Sequence, residues 1–242
     1  MTQTGTSGND TLNGSNGGDI LTGSGGNDFY LVDSSSDVVI ENLNEGIDSV
    51  DSRLANYTLP DNVEVLWIRE FAFNGSGNAL DNYIYAEGWR DYLHNSLSGG
   101  DGNDTILGDG GNDYLDGGNG NDSLVGGSEN DTLLGGDGND TLDGGVGGDS
   151  LAGGANNDFY IIDSNSDSVL ENTNEGIDSV DARLSNLTLP DNIEVLWIRE
   201  QAFNGTGNAL DNYIYAEGWR DYLHNSLSGG DGNDTILGDG GN

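Results

Sequence analysis

Cysteine and lysine are both missing from these 242 residues. Six arginines and two histidines stand against 43 acidic side chains, for a formal net charge of −37. Without cysteine, no disulfide contributes to the fold. Six scattered arginines cannot supply the clustered basic grip that phosphates require, which excludes nucleic acid as a partner. The same balance argues against anionic membrane surfaces. No apolar run approaches the ~20 residues that span a bilayer, so membrane insertion is not expected. The stretch Met1 to Thr11 also lacks the basic-then-apolar pattern of a secretory signal. Catalytic signatures are missing as well, since neither a nucleophile elbow nor a zinc-type histidine cluster occurs. The Gly-x-Gly runs do not open helices after strands, so no dinucleotide site is expected. The chain reads as a non-enzyme.

What is abundant is glycine, and it falls in strict register. From Gly99 a nine-residue phrase, Gly-Gly-x-Gly-x-Asp-x-U-x with U a large apolar residue, runs seven times to Ile161: GGDGNDTIL, GDGGNDYLD, GGNGNDSLV, GGSENDTLL, GGDGNDTLD, GGVGGDSLA and GGANNDFYI. Three more copies occupy Gly5 to Leu31, and another begins at Gly229. A Gly/Asp-rich disordered linker is the compositional alternative. The unbroken frame and the apolar residue at every eighth position, from Leu12 and Leu21 to Leu151 and Tyr160, contradict it. The phrase resembles the nonapeptide of the RTX calcium-binding proteins over essentially the whole chain. That resemblance implies an all-β, right-handed parallel β-roll stapled by several calcium ions. It also implies release through a type I secretion system to the cell surface or beyond.

The residue types support that reading by themselves. Each phrase divides into a six-residue turn, such as Gly117 to Asp122, and a three-residue strand, such as Ser123 to Val125. The turn glycines permit positive φ and close backbone approach. Two phrases make an eighteen-residue coil, so phrases n and n+2 stack as parallel neighbours roughly 4.8 Å apart. The sixth-position aspartates then form ladders: Asp104, Asp122, Asp140 and Asp158 on one edge, Asp113, Asp131 and Asp149 on the other. Two carboxylates about 5 Å apart repel by on the order of 3 kcal/mol at an effective dielectric near 20. No Arg, Lys or His lies between Gly99 and Ile161 to neutralise them, so the cation comes from outside. Calcium suits the site because it takes six to eight oxygens in flexible geometry, whereas magnesium demands a tight octahedron.

By resemblance, each ion sits between turns n and n+2, held by paired aspartates and turn carbonyls. The aspartates are Asp10, Asp19, Asp28, the seven of the two ladders, and Asp234. The carbonyls are those of Gly99 and Asp101, Gly108 and Gly110, Gly117 and Asn119, Gly126 and Ser128, Gly135 and Asp137, and Gly144 and Val146. Some phrases depart from the pattern. Glu129 and Asn156 replace the fourth glycine, Ser15 and Asn16 loosen the second phrase, and Asn82, Asn95, Asn212 and Asn225 stand where the aspartate would fall. An amide is a weaker, uncharged ligand, so calcium is expected to be absent or weakly held there. With one apolar residue in nine the core is thin, and burying it hardly offsets the entropy of so many glycines. Folding coupled to calcium is therefore expected.

A second period overlies the first. Residues 5–112 reappear as 135–242, and 77–112 recur unchanged as 207–242. The expected organisation is repeat block 1–31, interrupting segment 32–98, repeat block 99–161, second interrupting segment 162–228, and the start of another block at 229–242. The interrupting segments resemble those that often break RTX arrays, and the solenoid is expected to continue through them with larger coils. Val63-Glu-Val-Leu-Trp-Ile and its copy from Ile193 alternate as strands do. All six arginines and all four tryptophans lie in these segments. The aromatic stretch Tyr83 to His94, copied as Tyr213 to His224, is read first as a bulge covering the wider coils, with Arg90 pairing to Glu87 or Asp91. Its functional alternative is a loop that docks a neighbouring copy or stacks on extracellular glycans.

The chain ends mid-phrase at Gly238-Asp-Gly-Gly-Asn242, the mark expected of a piece of something longer. The favoured function is a secreted calcium-binding structural or adhesive module from a tandem array, as in biofilm, surface-layer or adhesin proteins. The alternative is the C-terminal secretion and folding domain of an RTX metalloprotease or lipase. Ice binding would want a flat outward threonine ladder, and Thr105, Ser123, Thr141 and Phe159 are too mixed to make one.

Overall fold

The computed structural model describes residues 1–15, 17–69, 73–87, 93–199, 204–217 and 225–238. Among them there is no helix, and 26 short strands follow one another. Successive strands fall alternately on two sides. Thr105–Gly110, Ser123–Ser128 and Thr141–Val146 lie in a 13-stranded sheet, while Tyr114–Asn119, Thr132–Asp137 and Ser150–Ala155 lie in a 7-stranded one. In the central block each strand pairs in parallel with the strand after next, in the register Ile106↔Leu124↔Leu142 on one side and Leu115↔Leu133↔Leu151 on the other. Parallel pairs normally need a long crossover, usually a helix. Here the opposing sheet is itself the return stroke, so eighteen residues suffice and the chain winds as a parallel β-roll.

Alternation within the strands places the eighth residue of each phrase inside. Ile106, Leu115, Leu124, Leu133, Leu142, Leu151 and Tyr160 are all fully buried between the sheets. Each such aliphatic contributes roughly 1.5–3 kcal/mol by leaving water, whereas the ninth-position Leu107, Val125 and Leu134 are only half-buried. In the interrupting segment the row on the second side reaches Gly75, paired to Leu97. The delta carbon of Ile68 fills the space that a side chain at Gly75 would need.

The division into a six-residue turn and a three-residue strand holds at Thr11–Asn13 and Ile20–Thr22 but not in the central block. Ser123–Ser128 and its neighbours run six residues, through the first three positions of the following phrase, leaving three for the turn. Glycine is the reason: with no Cβ at the first two positions, the backbones stay close enough to keep pairing, as in Gly118↔Gly136 and Asn119↔Asp137.

The 13-stranded sheet runs unbroken through both interrupting segments, from Thr11–Asn13 to Thr235–Gly238. The coils there are not uniformly larger. Equivalent positions recur after 20, 16, 18 and 22 residues, whereas the central block repeats every 18. The opposite side is broken twice, after Val38–Ile40 and after Ser168–Val169.

Candidate metal centres

At each turn the sixth-position aspartate is drawn inward and its two oxygens meet different fates. Oδ1 accepts the backbone amide of the aspartate one coil earlier: Asp104 donates to Asp122 at 2.7 Å, Asp122 to Asp140 at 2.8 Å, and Asp140 to Asp158 at 2.8 Å. The other edge repeats this from Asp113 to Asp131 to Asp149, at 2.8 Å each. Oδ2 has no partner. In all seven aspartates of this block, and in Asp28, it is buried and makes no hydrogen bond.

That oxygen shares its space with a carbonyl. A Cβ on Gly117 would fall on Asp122 Oδ2 and stand 2.6 Å from the carbonyl oxygen of Gly135, one coil on. The same pair of oxygens faces Gly99, Gly108, Gly126 and Gly135. Glycine at the first position thus keeps open a space lined by a carboxylate oxygen and a backbone carbonyl. A carboxylate is an acceptor only, with no proton of its own to share, and burial of an uncompensated charge is costly. Burial first, and the neighbouring aspartates next, push Asp104, Asp113 and Asp158 up to about 7 and Asp131, Asp140 and Asp149 up to about 6. A hard cation with oxygen ligands fits what is there, and calcium fits best.

A family profile described as the RTX calcium-binding nonapeptide repeat matches in four copies, over residues 4–39, 89–124, 125–160 and 206–242, more than half of the chain. The chain belongs to that family. It is a calcium-binding β-roll module, and calcium is its expected partner. No curated protein and no solved structure matches it.

The remaining positions divide among several environments in this RTX roll. Asp28 behaves like the central seven: its Oδ1 accepts the Asp10 amide at 2.7 Å and its Oδ2 is orphaned. Asp10 and Asp19 differ. Oδ2 of Asp10 already accepts the amide and hydroxyl of Thr6, and Oδ2 of Asp19 accepts the Ser15 hydroxyl at 3.3 Å. Asp234 accepts the Asn212 amide at 2.9 Å. Among the third-position carbonyls, those of Asn119 and Asp137 each accept a fourth-position amide from the preceding coil, which leaves one lone pair free. The side chains of Asp101, Asn119, Asp137 and Val146 face solvent.

Where asparagine replaces aspartate, nothing is orphaned. Asn82 Oδ1 accepts the Asn78 amide at 2.7 Å while its Nδ2 reaches the carbonyls of Val63 and Glu64. Asn212 repeats this arrangement with Asn208, Ile193 and Glu194. Glu129 and Asn156 keep the positive φ of the glycines they replace, at 75° and 81°. Glu129 adds a hydrogen bond from the Gly111 amide at 3.1 Å. Ser15 lies at φ 22°, and Asn16 is outside the described residues.

One set of residues escaped the sequence reading. Asparagine at the fifth position forms a ladder of its own: Asn103 accepts the amide of Asn121, Asn121 that of Asn139 and Asn139 that of Asn157, at 2.8–3.0 Å. These bonds point toward the next coil's amide, whereas the aspartate bonds point toward the previous one's. Each turn is therefore tied in both directions. His94 joins the opposite ladder, its Nδ1 accepting the Asn112 amide at 2.8 Å. The signal was visible, because Asn recurs at that position in most phrases, but the motif leaves the position unspecified.

On the outer face of the long sheet, Trp67 meets Tyr85 edge-on at 5.3 Å, and the Arg69 guanidinium lies 5.3 Å from the Trp67 ring. Trp197, Tyr215 and Arg199 repeat the group. Arg69 also approaches Asp51 at 3.7 Å. The expected Arg90 pairing and the tip of the Tyr83–His94 stretch, with its copy, lie outside the described residues.

Proposed function

We propose that this chain is a structural, adhesive module of a secreted tandem array, and that it folds when calcium enters the aspartate ladders. The ligands in this reading are Oδ2 of the sixth-position aspartates together with the first- and third-position carbonyls of the turns. One observation carries it: every central aspartate leaves a buried oxygen without a partner, while the asparagines at equivalent places are satisfied by protein alone. These buried acceptors support an external cation as the partner at pH 7.5, and no such acceptor is left where the residue is the amide of Asn82 or Asn212.

The geometry of addition supports the array. Strands Phe29–Val32, Ser49–Ser52 and Val65–Arg69 recur as Phe159–Ile162, Ser179–Ala182 and Val195–Arg199, in one continuous sheet. A solenoid contacts only its neighbouring coils, so further units extend it without new kinds of surface. Extracellular calcium is plentiful enough to keep such a rod folded. Its contacts with neighbouring copies or with glycans fall to the half-buried Trp67–Tyr85–Arg69 face and its repeat.

Small-angle scattering tests this on the present chain and on one lengthened by a further copy of residues 99–228. The expected result in millimolar calcium is a maximum dimension that grows in step with the added residues and is lost on chelation. A lengthened chain that folds back on itself, or dimensions indifferent to chelator, would remove the proposal.

A further inference from the structure

Each repeat block ends on a cluster the nonapeptide does not contain. After the last phrase the second side of the roll breaks, and the chain brings a glutamate inward: Glu41 after Val38–Ile40, Glu171 after Ser168–Val169. Glu41 stands eighteen residues beyond Gly23, and Glu171 eighteen beyond Gly153. These are the places where the next first-position glycine would fall. In the central block the space beside that glycine is lined by an aspartate oxygen and the next coil's carbonyl. At Gly23 the oxygens are instead Asp28 Oδ2, the Tyr30 hydroxyl and Glu41 Oε1. A side-chain carboxylate has taken the place of a backbone carbonyl.

A third carboxylate completes the group. The next coil is 20 residues long, and it places Asp48 above Asp28 and Asp178 above Asp158, each accepting the lower aspartate's amide, at 2.7 and 2.8 Å. One oxygen from each of Asp28, Glu41 and Asp48 lies within 4.8 Å of the others, and the same holds for Asp158, Glu171 and Asp178. Glu41 and Glu171 are 7% and 5% exposed, and Oε2 of each has no partner. Their Oε1 atoms accept the hydroxyls of Tyr30 and Tyr160, the residues that replace the usual eighth-position aliphatic. The Gly153 amide donates to the Tyr160 hydroxyl at 2.5 Å, which turns that hydroxyl toward Glu171. Asn62 and Asn192 hold the glutamate carbonyls at 3.0 and 2.9 Å, fixing the backbone from which the side chains enter.

We propose that Asp28–Glu41–Asp48 and Asp158–Glu171–Asp178 each bind one calcium ion, in a second class of site with three carboxylates that closes a repeat block. This rests on the reading of the repeats as calcium sites and adds two ions to it. Calcium affinity rises with the count of charged ligands and the rigidity of the site. These two sites have an additional carboxylate, and a tyrosine that fixes its rotamer, so they fill before the ladders do.

Calcium titration by calorimetry with ion counting at pH 7.5 compares the wild-type chain with Glu41→Gln/Glu171→Gln. Glutamine keeps the acceptor for each tyrosine and removes the charge. The expected result is two fewer ions per chain and loss of the tightest phase, with the weaker phase retained. An unchanged ion count and an unchanged tight phase would overturn the proposal, and would mean that a proton neutralises the cluster. If the wild-type chain binds no calcium, the reading of the repeats falls too; if it binds and the variant loses nothing, only this inference falls. Should the variant not fold in saturating calcium, anomalous diffraction from wild-type crystals soaked in terbium decides: a peak among Asp158, Glu171 and Asp178 supports the site, and peaks confined to the ladders refute it.

Discussion

Removing calcium is the sharpest perturbation of this molecule, and the structure sets its size. Between Asp104 and Asp158 seven buried carboxylate oxygens have no protein partner. An unsatisfied buried acceptor costs about 1–3 kcal/mol, so together they amount to about 7–20 kcal/mol. A typical domain is stable by only about 5–15 kcal/mol. The central block contains five between-coil spaces with an aspartate at both ends, three on one edge and two on the other. An ion held in each at about 100 times its Kd contributes about 2.7 kcal/mol, or about 13 kcal/mol in all. That is the size of the penalty it offsets. The expected outcome is a chain that loses its β-type far-ultraviolet circular dichroism in chelator at pH 7.5 and regains it in millimolar calcium. The fluorescence of Trp67 and Trp197, packed edge-on to Tyr85 and Tyr215, follows the same transition. A β-rich spectrum and unchanged tryptophan emission in chelator would refute the reasoning.

Without metal, protons are the only other neutralising agent. Burial pushes Asp104, Asp113 and Asp158 up to about 7 and Asp131, Asp140 and Asp149 up to about 6, against an ordinary value of 3.8. The folded state therefore binds more protons than the unfolded one across that window, and metal-free stability falls as pH rises from about 4 to about 7. Circular dichroism of calcium-free protein is expected to show structure at pH 4 that is lost by pH 7.5, and structure that increases with pH would contradict this. Gly117→Ala places a methyl group on Asp122 Oδ2. It is expected to cost about 1–3 kcal/mol, read as a higher calcium midpoint for folding, and a midpoint unchanged from wild type would argue against a site at Gly117. Asn121→Ala removes the acceptor for the Asn139 amide in an exposed ladder. A smaller loss of about 0.5–1.5 kcal/mol is expected in urea unfolding with saturating calcium, and a larger loss would mean that the ladder does more than tie coils.

The position-eight row and the aspartate ladders were legible because both follow from one number, the period. Once Leu124 and Leu142 are eighteen residues apart and both must be inside, Asp122 and Asp140 have to stack. The interrupting segments were less legible because their coils vary, and a shift of two residues moves a side chain from one stack to another. Asp48 could not be placed above Asp28 from spacing alone, since the twenty-residue coil between them is set by how the chain turns at Asn42–Gly46.

By itself, then, the sequence determined a calcium-binding parallel roll with aspartates in register, because repetition forces equivalent residues into equivalent environments. Only the tertiary structure decided which oxygen of each aspartate is spent on a neighbouring amide and which is left for a cation. It also decided that Glu41 and Glu171 enter where a glycine carbonyl would otherwise stand. Those outcomes depend on the direction of hydrogen bonds between coils and on where the second sheet breaks, and neither is written in the period.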